Sequence, residues 1–173
     1  MILSTNAGLW GYNLGDTIEF TSLSPYKVRV TGRIKHFISA FGEHVIGKEV
    51  EYAMKEALKK FSFSMSVFTV APQVNPDTED LPYPEWLIEF DDSPEDISSL
   101  ERYLDKAMQD QNTYYFDLIE GKILQPLRIT SLARDSFKKY MKSQGKLGGQ
   151  NKVPRLSNDR AIADELRQFQ TQN

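Results

Sequence analysis

Three short stretches of the sequence contain residue types that could bind a sugar and an anion. The first, YNLGDTIEF, covers residues 12–20 and places Asp16 between a glycine and an alternating, β-like stretch. A carboxylate held at the start of a strand can accept hydrogen bonds from two neighbouring sugar hydroxyls. Aspartate is also common in turns because its side chain bonds the nearby backbone. Asp16 is therefore a candidate sugar-binding residue, with a turn residue as the alternative.

The second stretch, GRIKHFISAFGE, covers residues 32–43 and has Arg33 directly after a glycine at the end of a predicted strand. An arginine there could contact an anion or a ribose, or it could be a solvated charge at a sheet edge. Lys35 lies where the β-rich start of the chain ends, and it has no other local signal. Gly42 and Glu43 are typical of a hairpin turn.

The third stretch, GGQNKVPRL, covers residues 148–156 and carries Lys152. A glycine-rich loop lets the backbone approach a ligand closely, and a lysine near its end adds one compact positive charge. The stretch is not a phosphate-binding P-loop, because the Gly-Lys-Ser/Thr ending that opens a helix is missing. A solvent-exposed loop lysine would fit the local pattern as well.

The composition is typical of a soluble globular protein. Of the 173 residues, 40% are hydrophobic, 12% aromatic and 26% charged. The net charge of -3 argues against a broad basic surface for nucleic acid. No cysteine is present, which excludes a disulfide framework, a thiolate zinc site and a cysteine nucleophile, and fits a reducing cytoplasm.

Neither a metal site nor a membrane segment is predicted. His36 and His44 are the two histidines, and Glu43 is the obvious additional ligand near them, which is too few for a metal-binding motif. No apolar run approaches the roughly 20 residues of a membrane-spanning helix. The first residues lack the pattern of a signal peptide.

The first thirty residues are rich in β-branched and aromatic residues, which predicts strands over MILST, TIEFTSL and YKVRVTG. The sequence begins within the first of these, so we expect the chain to be part of a longer protein. From Ile46 to Phe61 the apolar residues recur at helical spacing, with Glu–Lys pairs four apart on the other face. This pattern predicts an amphipathic helix.

The remaining elements are predicted from shorter signals. FSFSMSVFTV predicts a half-buried strand with Val67 on its buried face, and EWLIEF and LRITSL predict two more strands. Residues 72–84 contain four prolines and predict a loop. Ser93 is the expected N-cap of a helix that starts with Pro94. TYYFDLI is ambiguous, and helices are predicted over residues 135–143 and in DRAIADELRQF.

The order α-β-β-α-β-α from residue 46 onward predicts an α+β fold. We expect a small, mostly antiparallel sheet with helices packed on one face. A change of composition near Gly32 and Arg33 predicts a seam between this part and the β-rich start.

Together and in this order, the stretches resemble the motifs of the adenylate-forming superfamily, which includes acyl-CoA synthetases, peptide-synthetase adenylation domains and luciferase. In that superfamily a Tyr-x-x-Gly-Asp turn ends the large domain, and its aspartate holds the ribose hydroxyls of ATP. The matching residues here are Tyr12, Gly15 and Asp16. A Gly-Arg-x-Lys/Asp hinge follows, matched by Arg33 and Lys35 with the preceding glycine.

Two later features extend the resemblance. The superfamily has a Gly-Glu turn and then a helix with a Val/Ile-Glu pair, which are similar to Gly42, Glu43, Val50 and Glu51. It also has a lysine near the C-terminus that enters the active site for adenylation, and Lys152 holds the similar place. Asn13 departs from the Arg or Lys that the superfamily prefers, and NKVPR replaces the TxxGK run of acyl-CoA synthetases.

The chain more closely resembles the bacterial form of the auxin-responsive acyl acid amido synthetase family. Residues 5–43, TNAGLWGYNLGDTIEFTSLSPYKVRVTGRIKHFISAFGE, look like that family throughout. The ending GGQNKVPRLSNDR looks like its terminal Gln-x-Lys-Val-Pro-Arg signature. The Ser/Thr/Gly-rich loop that grips the ATP phosphates in the superfamily is missing from these residues, and so is an acyl pocket.

The resemblance implies that the chain is the C-terminal part of an enzyme and is inactive by itself. Residues 1–32 would be the last β segment of a large N-terminal adenylation domain, and residues 33–173 the lid domain. The enzyme would use ATP with Mg to join a carboxylic acid to an amine, with an amino acid expected, in the cytoplasm, without nucleic acid or membrane partners.

The resemblance also implies roles for single residues. Lys152 would be the catalytic residue for adenylation, Asp16, Tyr12 and Arg33 would bind ATP, and Lys35 would be the hinge.

Two alternatives remain open at this point. The chain could be a free-standing α+β ligand-binding or regulatory module, which fits its small size. It could also belong to an acyl-CoA ligase, which would use coenzyme A in place of an amine as the acceptor.

Overall fold

The computed structural model describes residues 2–8, 10–14, 16–33, 37–38, 45–76, 80–146 and 152–171. In these ranges no helix is both long enough and apolar enough to cross a membrane.

The start of the chain consists of short antiparallel pairs, as the β-branched and aromatic residues predict. β1 pairs with β2, β3 with β4, and β5 with β6. Their bounds are Ile2–Leu3, Tyr12–Asn13, Asp16–Leu23, Tyr26–Arg33, Phe37–Ile38 and Val45–Ile46. The turn between β3 and β4 contains Ser24-Pro25, with a cis peptide bond.

A three-stranded sheet forms the centre of the remaining chain. β7 (Ser64–Gln73) pairs with β8 (Tyr83–Asp92) in antiparallel fashion, and β8 pairs with β9 (Arg128–Leu132) in parallel. A parallel pair needs a long crossover between its strands. Here the crossover contains α2 (Ile97–Gln111) and α3 (Thr113–Glu120). β8 lies in the middle, and its first eight residues are buried.

One face of this sheet packs against α1 (Gly47–Lys60), α2 and α3. The helical spacing of the apolar residues puts one side of α1 and one side of α2 against the sheet. The shared core contains Val50, Ala53, Met54, Ala57, Phe68, Val70, Trp86, Ile88, Leu100, Leu104, Met108 and Tyr115.

The opposite face packs against α4 (Ser136–Ser143) and α5 (Ala161–Arg167). Its core contains Ala71, Leu87, Leu132, Phe137, Ala163 and Leu166. The α+β fold class and the small sheet with packed helices are therefore confirmed. The expectation that all helices lie on one face is wrong, because β8 is buried on both faces and helices cover each of them.

The C-terminal segment lies along both outer edges of the sheet. Leu156 forms a parallel bridge with Val70 of β7, and Gln170 forms an antiparallel bridge with Leu132 of β9. Between these two bridges α5 crosses the face of the sheet. Edge strands expose unpaired backbone groups, so this arrangement covers part of both edges.

The start of α2 differs from its prediction. Asp96, and not Ser93, is the N-cap, and its carboxylate accepts a hydrogen bond from the backbone N–H of Ser99 at 3.0 Å. Either residue type can cap a helix, so composition alone did not decide between them.

Candidate functional site

Lys152 lies at the exposed start of the C-terminal segment, which runs along the edge of β7. The next four residues change from partly buried to fully buried at Leu156. The lysine therefore stands in solvent at the head of a segment that is itself packed on the domain.

Three hydrogen bonds, all accepted by backbone carbonyls, fix this segment to the edge of β7. The hydroxyl of Thr69 donates to the carbonyl of Pro154 at 2.8 Å. The N–H of Val70 donates to the carbonyl of Arg155 at 2.9 Å, and the N–H of Ser157 donates to the carbonyl of Val70 at 2.9 Å. The segment from residue 154 to residue 157 is thus held against the edge of β7 around the isolated bridge at Leu156.

Arg155 adds a side-chain anchor to the same segment. Its Nη1 donates to the carbonyl of Phe68 at 3.1 Å, and its guanidinium carbon lies 4.5 Å from the centre of the Phe68 ring. Its Nε lies 3.9 Å from a carboxylate oxygen of Glu51 on α1. A planar guanidinium can stack and donate hydrogen bonds at the same time, which a lysine cannot do.

The ring under Arg155 is itself fixed by the core. Phe68 stacks on Trp86 with 5.6 Å between ring centres and 4° between ring planes. Trp86 is 1% exposed and belongs to the central strand. Arg155 therefore lies against the Phe68 ring, which in turn stacks on Trp86 in the core of the domain.

A buried ionic cluster holds the far end of the C-terminal segment. Glu85 of β8 has a fully buried side chain and accepts hydrogen bonds from Arg160 Nη2 at 2.8 Å and Arg167 Nε at 2.9 Å. The hydroxyl of Thr130 donates to the same carboxylate at 2.6 Å. Burial lowers the pKa of Arg167, but its hydrogen bond to Glu85 and the charge of Glu85 outweigh this and raise the pKa.

Two of the three candidate ligand-binding residues at the start of the chain are brought together by the backbone. Asp16 and Arg33 are directly opposite each other at the open end of the β3–β4 hairpin. Tyr12 lies on β2, opposite Leu3, and its side chain is 52% exposed. The hairpin and the three-stranded sheet that carries the Lys152 segment are separate sheets in the described ranges.

Several residues of the sequence motifs lie outside the described residues. These are Gly15, Lys35, His36, Gly42, Glu43 and His44. Val50 and Glu51 are described: Val50 is buried under the sheet, and Glu51 is exposed beside Arg155. The structure thus brings Glu51 of one motif beside Arg155 of another.

The described residues include no group of three or more His, Asp or Glu side chains that could hold a metal ion. A cavity lined by Val45, Val50, Trp86, Met108 and Tyr115, among others, has a volume of about 10 Å³. That is about the space for one water molecule, so this cavity is too small for a substrate.

Sequence reasoning assigned no role to Arg155, Glu85 or the arginines that bind Glu85. The signal for Arg155 was present in the terminal VPR stretch, but its partner Phe68 is 87 positions away. Glu85 could have been noticed as one of two glutamates, with Glu89, inside the predicted strand EWLIEF, which is buried in the structure. A charge in the buried central strand of a sheet needs a partner of opposite charge, and the sequence alone does not indicate which residue that partner is.

The chain was compared with known families and structures. The model of the GH3 family C-terminal domain matches residues 48–161. A solved structure described as GH3.15 acyl acid amido synthetase has a TM-score of 0.77 and 16% sequence identity, and 99% of this chain is covered. A second, described as AtGH3.15 acyl acid amido synthetase in complex with 2,4-DB, has a TM-score of 0.73 and 17% identity, also with 99% of this chain covered. No curated protein sequence matches.

The chain spans 32% of the length of each of these two solved structures. At 16% and 17% identity these likenesses show a shared fold. The family match runs from the start of α1 into the first residue of α5, and it includes the whole three-stranded sheet.

Proposed function

Because the chain belongs to the GH3 family, as the match to its C-terminal domain over residues 48–161 shows, we propose that it is the lid part of an ATP-dependent acyl acid amido synthetase. The family match is the observation that carries this proposal. The fold shared with two acyl acid amido synthetases over 99% of this chain supports it.

In this proposal, residues 1–32 complete the large N-terminal adenylation domain of the same protein, and residues 33–173 form the lid. The exposed apolar residues of the β3–β4 hairpin support a partner there. Phe20 is 57% exposed and lies opposite Val28, which is 48% exposed, and Val30 is 57% exposed. Contiguous exposed apolar surface of this kind is typical of a protein interface.

The proposed reaction has two steps. A carboxylate oxygen of the acid attacks the α-phosphorus of ATP, the bond to the β-phosphate oxygen breaks, and pyrophosphate leaves. The amine nitrogen of an amino acid then attacks the acyl carbon, loses a proton and displaces AMP, which gives the amide. We expect the acid substrate to be of the same chemical class as 2,4-DB, with which one of the two solved structures is described in complex.

Lys152 is the proposed catalytic residue of the first step. Negative charge builds up between the incoming carboxylate and the α-phosphate, and a positioned ammonium group stabilises that charge most when water is excluded. Support comes from the exposure of Lys152 at the head of a fixed segment, where it can reach a ligand outside this domain.

The proposed ATP contacts lie at the start of the chain. Asp16 would accept hydrogen bonds from the ribose hydroxyls, with Tyr12 and Arg33 beside it, and Lys35 would be the hinge of the lid. The opposed positions of Asp16 and Arg33 in the hairpin support a joint role. The expected Mg would arrive with the ATP phosphates, and we assign no residue of this chain to it.

Replacing Lys152 by alanine in the longer protein tests the proposal. We expect adenylation, measured as ATP–pyrophosphate exchange, to fall about 10²- to 10³-fold, which is the usual loss when one preorganised charge-stabilising group is removed. Amide formation from a preformed acyl-adenylate should stay near the wild-type rate. Lys142→Ala on α4, also at an exposed lysine, is the matched control.

Equal losses in the two half-reactions would contradict the role of Lys152. Comparison of amino acids with coenzyme A as acceptors tests the reaction class. Formation of a thioester without an amide would replace the amido synthetase proposal by an acyl-CoA ligase.

A further inference from the structure

The contacts of Arg155 suggest a role beyond packing. We propose that Arg155 is a positioning residue, which holds the segment that carries Lys152 in the orientation needed for adenylation. This inference rests on the proposed role of Lys152. Arg155 itself is not expected to touch the substrates.

The geometry of Arg155 supports a positioning role. Its side chain makes three contacts with two elements: the Phe68 carbonyl and the face of the Phe68 ring on β7, and Glu51 on α1. Its own carbonyl accepts from Val70. Both the side chain and the backbone of one residue are thus fixed, three positions after Lys152.

These contacts differ in strength. The pair with Glu51 is 3.9 Å long, and its side chains are 37% and 62% exposed, so it contributes little. The hydrogen bond to Phe68 and the stacking on its ring are partly buried and directional. Because Phe68 stacks on the buried Trp86, the position of Arg155 is tied to the core.

The local sequence makes the anchor effective at Lys152. Val153 packs against the core on the α4–α5 side of the sheet, and Pro154 has a fixed backbone φ angle. Little rotational freedom therefore lies between the anchored arginine and the lysine. A catalytic group displaced by about 1 Å can lose roughly 10²-fold in rate.

The experiment is a double-mutant cycle in the longer protein. Arg155→Ala should lower ATP–pyrophosphate exchange roughly 10- to 100-fold, through kcat and with the KM for ATP unchanged. Amide formation from preformed acyl-adenylate should change less than about twofold. In the Lys152→Ala background, Arg155→Ala should have no further effect, because there is no lysine left to position.

Two further variants separate positioning from stability. Arg155→Lys keeps the positive charge but cannot stack and bond to the Phe68 carbonyl together, so we expect the same selective loss of adenylation in a folded protein. Arg167→Ala removes an anchor at the other end of the same segment and should lower stability without a selective loss of adenylation.

The outcomes distinguish the two proposals. If Lys152→Ala impairs adenylation but Arg155→Ala and Arg155→Lys do not, the positioning role is refuted and the proposed function stands. The positioning role is also refuted if the effects of Lys152→Ala and Arg155→Ala multiply in the double variant. If Lys152→Ala leaves adenylation intact, the catalytic role of Lys152 fails and the positioning role fails with it.

Discussion

Replacing Glu85 by leucine should destabilise the domain strongly, although leucine is similar in size and apolar. Glu85 has no exposed side-chain surface, whereas Arg160 and Arg167 are 15% and 31% exposed at their side chains. The substitution removes the shared acceptor and leaves two guanidinium groups at a buried position without it. Breaking a buried ionic group by removing one partner is costly for this reason.

The size of the effect follows from the contacts. The Glu85 carboxylate accepts three hydrogen bonds, from Arg160 at 2.8 Å, Arg167 at 2.9 Å and Thr130 at 2.6 Å, and a hydrogen bond to a charged group is worth about 1.5–3 kcal/mol. Arg160 keeps its bonds to the Pro72 carbonyl and Asp164, and Arg167 can recover some contact with water. We therefore expect a net loss of about 3–5 kcal/mol.

Urea unfolding of the 173-residue chain measures this loss. The chain has two tryptophans, and Trp10 is 83% exposed while Trp86 is 1% exposed. A Trp10→Phe background leaves Trp86 as the fluorescent reporter of the core. If the free energy of unfolding falls by about 2 kcal/mol per molar urea, the midpoint of the unfolding transition should fall by about 2 M, with this slope unchanged. Glu120→Leu, at an exposed glutamate on α3, is the control and should shift stability by less than about 0.5 kcal/mol.

A triple variant tests the physical reason. Replacing Glu85 by leucine and both Arg160 and Arg167 by methionine removes the whole ionic cluster and should recover more than half of the loss. The reasoning is refuted if Glu85→Leu costs less than about 1 kcal/mol, or if the triple variant is as unstable as the single one.

Two further predictions concern other carboxylates. Asp16→Ala in the longer protein should weaken ATP binding by more than about tenfold in calorimetry, because each hydrogen bond from a ribose hydroxyl to the charged carboxylate is worth about 1.5–3 kcal/mol. Asp92→Ala is the control, and unchanged affinity rejects the ribose contact. The hydrogen bonds from Ser99 lower the pKa of Asp96 from its ordinary 3.8, so its stabilising effect is present above about pH 4 and is lost as the pH falls through the lowered value. Compared with Asp96→Asn, which caps without titrating, the wild type should therefore lose relative thermal stability below about pH 4, and a constant difference down to about pH 2 would contradict this.

Helices with a strong local pattern were predictable from the sequence. The apolar spacing after Ile46 predicted α1, which covers Gly47–Lys60, and the helix predicted over residues 135–143 appears as Ser136–Ser143. Such patterns depend on residues three or four positions apart, which the sequence shows directly. The ambiguous TYYFDLI run is α3, and a distant contact favours it: the Tyr115 hydroxyl donates to the buried Asp105.

The face of a strand was harder to predict than the strand itself. Simple alternation placed Val67 on the same face as Phe63 and Met65. β7 has register irregularities on both sides of Met65, and a bulge inserts an extra residue that reverses the alternation. As a result Val67 packs on the α4–α5 side, while Phe68 faces the α1–α2 core.

The loop predicted over residues 72–84 is present, but it is shorter than predicted. β7 extends to Gln73 and β8 begins at Tyr83, so Pro72 and Pro84 lie within the sheet, opposite each other at the strand ends. A proline is tolerated there because a strand end needs fewer ladder hydrogen bonds than its middle. Composition alone therefore overestimates the loop.

The candidate site also depends on contacts between residues far apart in the sequence, which sequence patterns do not show. The residue types at Asp16, Arg33 and Lys152 allowed a sugar or an anion as ligand, and only the resemblance to adenylate-forming enzymes suggested ATP. The pairing of β3 with β4 brings the first two residues together. The anchor of Lys152 depends on which residues of β7 border the C-terminal segment. That register is set by hydrogen bonds between residues 85 and 87 positions apart, which no local pattern encodes.

The two anchors of the C-terminal segment have separate physical consequences. Glu85 binds Arg160 and Arg167 at the two ends of α5, so these bonds hold that helix across the sheet face. Arg155 acts earlier in the chain, at the edge of β7, next to the strand bridge at Leu156. Since Arg160 also donates to the carbonyl of Pro72 on β7, loosening α5 leaves the hydrogen bonds of residues 154–157 to Thr69 and Val70 in place. Loss of the Glu85 cluster should therefore lower stability before it changes the orientation of Lys152, whereas loss of Arg155 should do the reverse.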